Sequence, residues 1–155
     1  MIGFTREINT YIAEIDKLYR SGQATEHSYR PALKSLFESI TAGLTITNEP
    51  KHIECGAPDY IITKDSIPLG YIEAKDIKAG LDNKQNKEQF DRYKHALGNL
   101  IITDYLTFQL FVDGEPVVSV AIAGENNGMI IPEKKQFETF LEMINQFTGY
   151  SGKSI

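Results

Sequence analysis

One cysteine in 155 residues, Cys55, has no partner for an intramolecular disulfide. Disulfide cross-links within the chain are excluded as a source of stability, and a reducing compartment suits the chain. Long apolar runs are missing as well: nothing approaches the roughly 20 consecutive apolar residues of a membrane-spanning helix. The opening Met1-Ile2-Gly3-Phe4-Thr5-Arg6-Glu7 lacks a basic start followed by an apolar stretch. No secretion signal is read there, and a cytoplasmic protein with no membrane partner is expected. Positive charge is in short supply, since 16 Lys and Arg against 21 Asp and Glu leave a formal net charge of -5. Duplex affinity comes largely from counterions released when basic side chains neutralise phosphates. The balance therefore argues against an autonomous high-affinity DNA binder more strongly than against a domain delivered to DNA by something else. His52 and His95 stand apart, with no ligand partner at metal spacing. There is no internal repeat and no low-complexity segment.

What is present is a globular chain, 41% hydrophobic and 24% charged, of single-domain length and with room for a sizeable core. Phe4, Ile8, Ile12, Ile15, Leu18 and Tyr19 put an apolar stripe on one side of a helix over residues 4–20, ended by Ser21-Gly22. Residues 25–42 form a second helix burying Tyr29, Leu33, Leu36, Phe37 and Ile40. Pro31 belongs in a first turn, so its regular part starts near Ser28. A strand at 44–47 follows. A loop over 76–86 precedes a helix over 86–97 stopped by Gly98. Strands are read at 99–103, 106–112 and 117–122, with Asp113-Gly114-Glu115-Pro116 as a turn and 124–128 as loop. A last helix over 133–147 buries Phe137, Phe140, Leu141, Ile144 and Phe147. This order predicts an α/β fold, a mixed sheet flanked by helices. The domain runs over 1–147: amino-terminal helices 4–42, a core at 44–122 and the terminal helix. Residues 148–155 are expected to be a tail or a linker.

The chemistry gathers in residues 58–75. Two runs rich in Ile, Tyr and Thr flank Lys64-Asp65-Ser66-Ile67-Pro68 and read as a hairpin. Alternation puts Leu69, Tyr71, Glu73 and Lys75 on one face and Gly70, Ile72 and Ala74 on the other, with Asp59, Ile61 and Thr63 aligned on the neighbouring strand. Asp59 and Glu73 can then hold Mg²⁺, a hard cation that prefers oxygen ligands, with the Ala74 backbone carbonyl as a further oxygen. Lys75 would orient the attacking water. The plainer reading is a solvated strand whose Glu and Lys serve solubility. The apolar residues on both faces of each strand favour a covered sheet, where charged side chains seldom lack a task. On the following helix Gln89 and Tyr93, four residues apart, share a face with Arg92 beside them. Either they shape the site or contact DNA, or the helix simply packs through Phe90, Tyr93 and Leu97. Arg30 is either a phosphate contact or a surface charge.

Pro58-Asp59 followed by Glu73-Ala74-Lys75 resembles the signature of the PD-(D/E)XK nucleases. The resemblance extends through Gly56-Ala57-Pro58-Asp59, Gly70-Tyr71-Ile72-Glu73-Ala74-Lys75-Asp76, Gln89-Phe90-Asp91-Arg92-Tyr93 and Asn99-Leu100-Ile101-Ile102-Thr103-Asp104-Tyr105. Together these are similar to the amino-terminal nuclease domain of single-chain type IIG and type ISP restriction-modification enzymes, over about residues 25–115. The resemblance implies a restriction-endonuclease-like fold and a deoxyribonuclease acting on double-stranded DNA with Mg²⁺, or Mn²⁺ in its place. It implies catalytic roles for Asp59, Glu73 and Lys75, and for Glu26 as an additional metal contact, although an ordinary acid near a helix start explains Glu26 almost as well. It also implies polar contributions from Gln89 and Tyr93. The family's N6-adenine methyltransferase and target-recognition regions have no counterpart here, nor does a helicase motor, so they are expected on a downstream or partner region. Two alternatives stay open: a non-catalytic nucleic-acid or protein-interaction module that kept the fold, and a resolvase- or repair-type nuclease.

Overall fold

A 3.6-residue apolar period builds α1 (Thr5–Arg20), which buries Ile8, Tyr11, Ile12 and Ile15. In the computed structural model, which describes residues 3–48, 58–77 and 84–150, a 3₁₀ turn (Glu26–Tyr29) then feeds α2 (Arg30–Ile40), with Pro31 in its first turn. There the proline's missing N–H costs nothing.

Six strands follow: β1 (Thr45–Asn48), β2 (Tyr60–Lys64), β3 (Ile67–Ala74), β4 (Asn99–Thr103), β5 (Thr107–Val112) and β6 (Glu115–Ala121). They form one sheet in chain order. Every neighbouring pair is antiparallel except β3 and β4. A parallel pair requires a crossover, and α3 (Lys84–Ala96) supplies it. The sheet is thereby covered on both faces. Phe90, Tyr93 and Leu97 of the α3 segment meet Leu100, Ile102 and Phe111 on one side. On the other, Ile62, Ile72, Ile101, Phe108 and Leu110 meet α1, α2 and α4 (Phe137–Thr148). The molecule is a mixed α/β fold in which β3 and β4 are central strands.

Several sequence expectations change. The break in the hairpin is two residues rather than five: Asp65 and Ser66 both take positive φ, 52° and 67°, the backbone of a tight hairpin turn whose twist matches its strands. β3 therefore includes Pro68. That proline lies outside the stretch paired with β4, which starts at Tyr71, so its missing donor breaks no ladder bond on that side. The register slips where Ile62 faces Gly70 and Thr63 faces Pro68, which leaves Leu69 as the extra residue of a bulge. Leu69 accordingly packs into the α1/α2/α4 side instead of sharing the face of Tyr71 and Glu73. β6 starts at Glu115, earlier than expected, because the turn is only Asp113-Gly114, both at positive φ. The expected loop at 124–128 is a further hairpin, β7 (Ala123–Asn126) and β8 (Met129–Pro132). Its turn is Asn127-Gly128, a strong hairpin dipeptide, and Ile130 N–H donates to Asp16 Oδ1 of α1 at 2.9 Å. The segments 49–57 and 78–83, which include Cys55 and most of the expected loop, lie outside the described residues. No described helix is long and apolar enough to cross a membrane.

Candidate functional site

The pairing of Tyr60 with Ile72 carries Asp59, just before β2, to a position across from Glu73, near the end of β3. The backbone then ties the two carboxylates together. Asp59 N–H donates to Glu73 Oε1 at 3.2 Å, and Ala74 N–H donates to Asp59 Oδ2 at 2.8 Å. Lys75 stands one residue past β3, with its N–H donating to Thr103 O of β4 at 2.9 Å. That bond extends the parallel ladder and aims the Lys75 side chain. Its Nζ lies 3.3 Å from Glu73 Oε2 and donates to Gln89 Oε1 at 3.1 Å. Gln89 Nε2 in turn donates to Tyr93 OH at 3.3 Å. The four-residue spacing on α3 makes that last contact possible.

Arg30 closes the other end. Its guanidinium lies 2.7 Å from Asp59 Oδ1, with both side chains only 11% exposed. Its own carbonyl accepts from Tyr60 OH at 3.1 Å. Of the two readings of Arg30, phosphate contact or surface charge, the second does not describe it: α2 packs its first residue against the start of β2, and the guanidinium is held at a buried carboxylate. The sequence did hold a signal. Arg30 opens a helix with no acid in its first turn, whereas the helix dipole favours the opposite sign there.

Glu73 is 2% exposed. Burial, then the charge of Asp59, pushes its carboxyl up to about 8 against a lowering by Lys75, and the two carboxyls are within hydrogen-bonding reach of each other. Two acids crowded in a dry site retain a proton unless a cation takes its place. Hard oxygen donors and burial fit a divalent ion, although Arg30 and Lys75 already neutralise part of the charge. Among the described residues no group of three or more His, Cys, Asp or Glu that could hold a metal ion is gathered; the two acids brought together here are Asp59 and Glu73.

The remaining expected residues divide. Ala74 enters the site through its amide. Tyr93 is fully buried, with its hydroxyl accepting from Gln89. Arg92 is exposed and lies outside the hydrogen-bonded chain running from Arg30 to Tyr93. Glu26 begins the 3₁₀ turn, and its side chain lies outside the described residues. Sequence reasoning overlooked Asp104. Its Oδ1 accepts from the N–H groups of Leu106 and Thr107 at 3.0 and 2.7 Å. It thereby fixes the β4–β5 turn, in which Tyr105 takes a φ of 76°. The signal was an Asp at the end of a strand, the usual seat of a side-chain turn. A groove of about 490 Å³ between α1 and α2 shares no residue with this network.

No protein-family model matches the chain. In sequence it is similar to the uncharacterized fimbrial-like protein YehA of Escherichia coli (strain K12), 28% identical over 138 residues, covering 85% of this chain and 40% of that protein. In structure it is similar to a chain of the cryo-EM structure of the DrdV–DNA complex. The TM-score is 0.69 at 20% identity, over 94% of this chain and 14% of that one. At that identity the likeness shows the fold. The chain spans less than half of the YehA sequence and about a seventh of the DrdV chain.

Proposed function

We propose that this chain is a Mg²⁺-dependent DNA endonuclease domain of restriction-modification type, hydrolysing phosphodiester bonds in double-stranded DNA. The observation that carries the reading is the joining of Asp59, Glu73 and Lys75 in one hydrogen-bonded group at the carboxyl end of β3. The fold shared with a segment of a protein solved on DNA agrees with it.

Asp59 and Glu73 would hold the cation, with the Ala74 carbonyl and Glu26 as further oxygens. When bound, the cation neutralises charge on the phosphate and lowers the pKa of the attacking water. Lys75 orients that water. Of its three N–H bonds, Glu73 and Gln89 engage two, which leaves a third for the water oxygen. The water oxygen would bond to phosphorus as the P–O bond to the leaving sugar oxygen breaks, the water giving its proton to solvent and the leaving oxygen taking one from solvent. Gln89, itself held by Tyr93, keeps the flexible lysine stem in one place, and such fixed geometry is a large part of catalytic advantage. Arg92, on the exposed side of α3, is a candidate contact to the DNA backbone. Because the chain is acidic, methyltransferase and target-recognition regions on the same polypeptide or a partner would bring the duplex to it.

Nicking of supercoiled plasmid at low salt with Mg²⁺ or Mn²⁺ tests this. Wild type is expected to nick, and Asp59→Asn and Lys75→Ala to lose at least about a hundredfold. Asn is preferred at 59 because it keeps a side-chain oxygen for Arg30. Full activity in either variant would sink the assignment. Preference for branched or damaged DNA would mark a resolvase- or repair-type enzyme with the same chemistry. One observation favours a non-catalytic module instead: both Asp59 oxygens and both Glu73 oxygens already have protein partners. Absence of any Mn²⁺ binding that depends on Asp59 and Glu73 would support it.

A further inference from the structure

We propose that Asp104 is a positioning residue for Lys75: its carboxylate sets the β4–β5 turn so that Thr103 O is held where the Lys75 N–H meets it, which fixes the point from which the lysine side chain reaches into the site. The catalytic consequence rests on the nuclease reading above, whereas the placement of Lys75 does not.

β3 ends at Ala74, which lies in register with Thr103 at the end of β4. Lys75 is the next residue, beyond the regular strand, and its N–H donates to Thr103 O at 2.9 Å. A shift of that carbonyl carries the lysine backbone with it. The stem passes the shift on to Nζ, which lies 3.3 Å from Glu73 Oε2 and 3.1 Å from Gln89 Oε1. A misplacement of about 1 Å in catalytic geometry can cost about a hundredfold in rate.

The turn that carries Thr103 is built unlike the other hairpin turns. Those between β2 and β3, β5 and β6, and β7 and β8 use Asp65-Ser66, Asp113-Gly114 and Asn127-Gly128, and none of these residues is buried. The β4–β5 turn instead holds Tyr105, 0% exposed, at a φ of 76°. A bulky residue persists in that conformation only where its surroundings over-determine it. Here they do. Asp104 Oδ1 accepts from the N–H groups of Leu106 and Thr107. Thr103 Oγ1 accepts from Tyr105 N–H at 2.9 Å and donates to Thr107 O at 2.7 Å, and Tyr11 OH of α1 donates to Tyr105 O at 2.7 Å. Asp104 is the side chain whose truncation frees two amides at once, and it directly follows the carbonyl on which Lys75 is seated. Burial raises its carboxyl and the two amides counter that only in part, so the turn keeps an acid in a place that disfavours its charge.

The Gln89 side-chain amide reports on the lysine without reference to cleavage, because it accepts from Nζ and donates to Tyr93. Its NMR signals, assigned by their loss in Gln89→Leu, are compared in wild type, Asp104→Ala, Asp104→Asn and Lys75→Ala, beside thermal melts and the kcat and KM of plasmid nicking. In Asp104→Ala the signals are expected to move toward their positions in Lys75→Ala, and kcat to fall at least about tenfold at unchanged KM. Asp104→Asn keeps an oxygen for the two amides and should restore both. If Asp104→Ala does not fold, Thr103→Val, which keeps the shape and removes the hydroxyl, carries the same comparison with Thr103→Ser as its rescue. A lower melting temperature with the Gln89 signals unmoved would overturn the proposal and leave Asp104 a residue of stability alone. Moved signals with unchanged kcat would overturn it as well. Signals that move as expected in a chain whose wild type does not nick would uphold the placement and count against the nuclease reading instead.

Discussion

Glu73 shows at the scale of one residue how burial turns an ordinary glutamate into a proton-holding group. Its carboxyl is pushed up to about 8 from an ordinary 4.5, by burial first and by Asp59 second. Between those two values the folded chain keeps a proton that the unfolded chain has released. Stability present below about 4.5 is therefore lost as pH rises toward 8. With a chelator present, the melting temperature of wild type should fall across pH 5 to 8, and that of Glu73→Gln should fall less steeply. Identical slopes would mean that Glu73 is not the group responsible. Asp104 is also raised by burial and contributes with the same sign, so the difference between the two proteins isolates Glu73. Saturating Mn²⁺ should shrink the wild-type slope, since a bound cation favours the ionised acid.

Among the elements, β3 carries the most constraints, and they come from both faces. On the side of α3 it presents Tyr71 and Glu73; on the other, Gly70 lets α4 come close. A Cβ built at Gly70 would meet Cε1 and Cζ of Phe147 at 2.6 Å and Nδ2 of Asn99 at 2.9 Å. That same Nδ2 donates to Leu69 O at 3.0 Å and to Phe147 O at 2.7 Å, so one buried amide joins β4 to β3 and to the end of α4. Gly70→Ala forces the helix and the amide to give way together. It is expected to cost about 1–3 kcal/mol, read as a lower urea midpoint with an unchanged slope. A midpoint equal to that of wild type would show that α4 shifts freely and does not brace the site strand.

Over the whole molecule, the charge of -5 sets what the chain does alone. Five phosphate-like charges in excess repel a duplex at long range, and the cationic side chains Arg30 and Lys75 are engaged by carboxylates. A short labelled duplex should bind the isolated chain with a Kd of about 10⁻⁴ M or weaker at physiological salt, the weak end of non-specific binding. Fluorescence anisotropy would show it, and micromolar binding under those conditions would contradict the charge argument.

The helices at either end of the chain and the strands β4 to β6 were legible because the signal is local: a 3.6-residue stripe, or an apolar run closed by turn residues, reports its own burial. The nearness of Asp59 to Glu73 and Lys75 was legible for a related reason, since a hairpin register needs only alternation and a short turn. The β7–β8 hairpin was read as loop, because its strands are too short and polar to stand out by period, and Asn127-Gly128 was its one local signal. Tertiary structure alone decided the rest. Arg30 reaches Asp59 across 29 positions and Asn99 reaches Phe147 across 48, separations at which no periodic pattern says which face meets which. The pKa of Glu73 belongs to the same class, because the sequence supplies the carboxyl while the closing of α2 and α3 over the sheet removes the water that would have kept it ordinary.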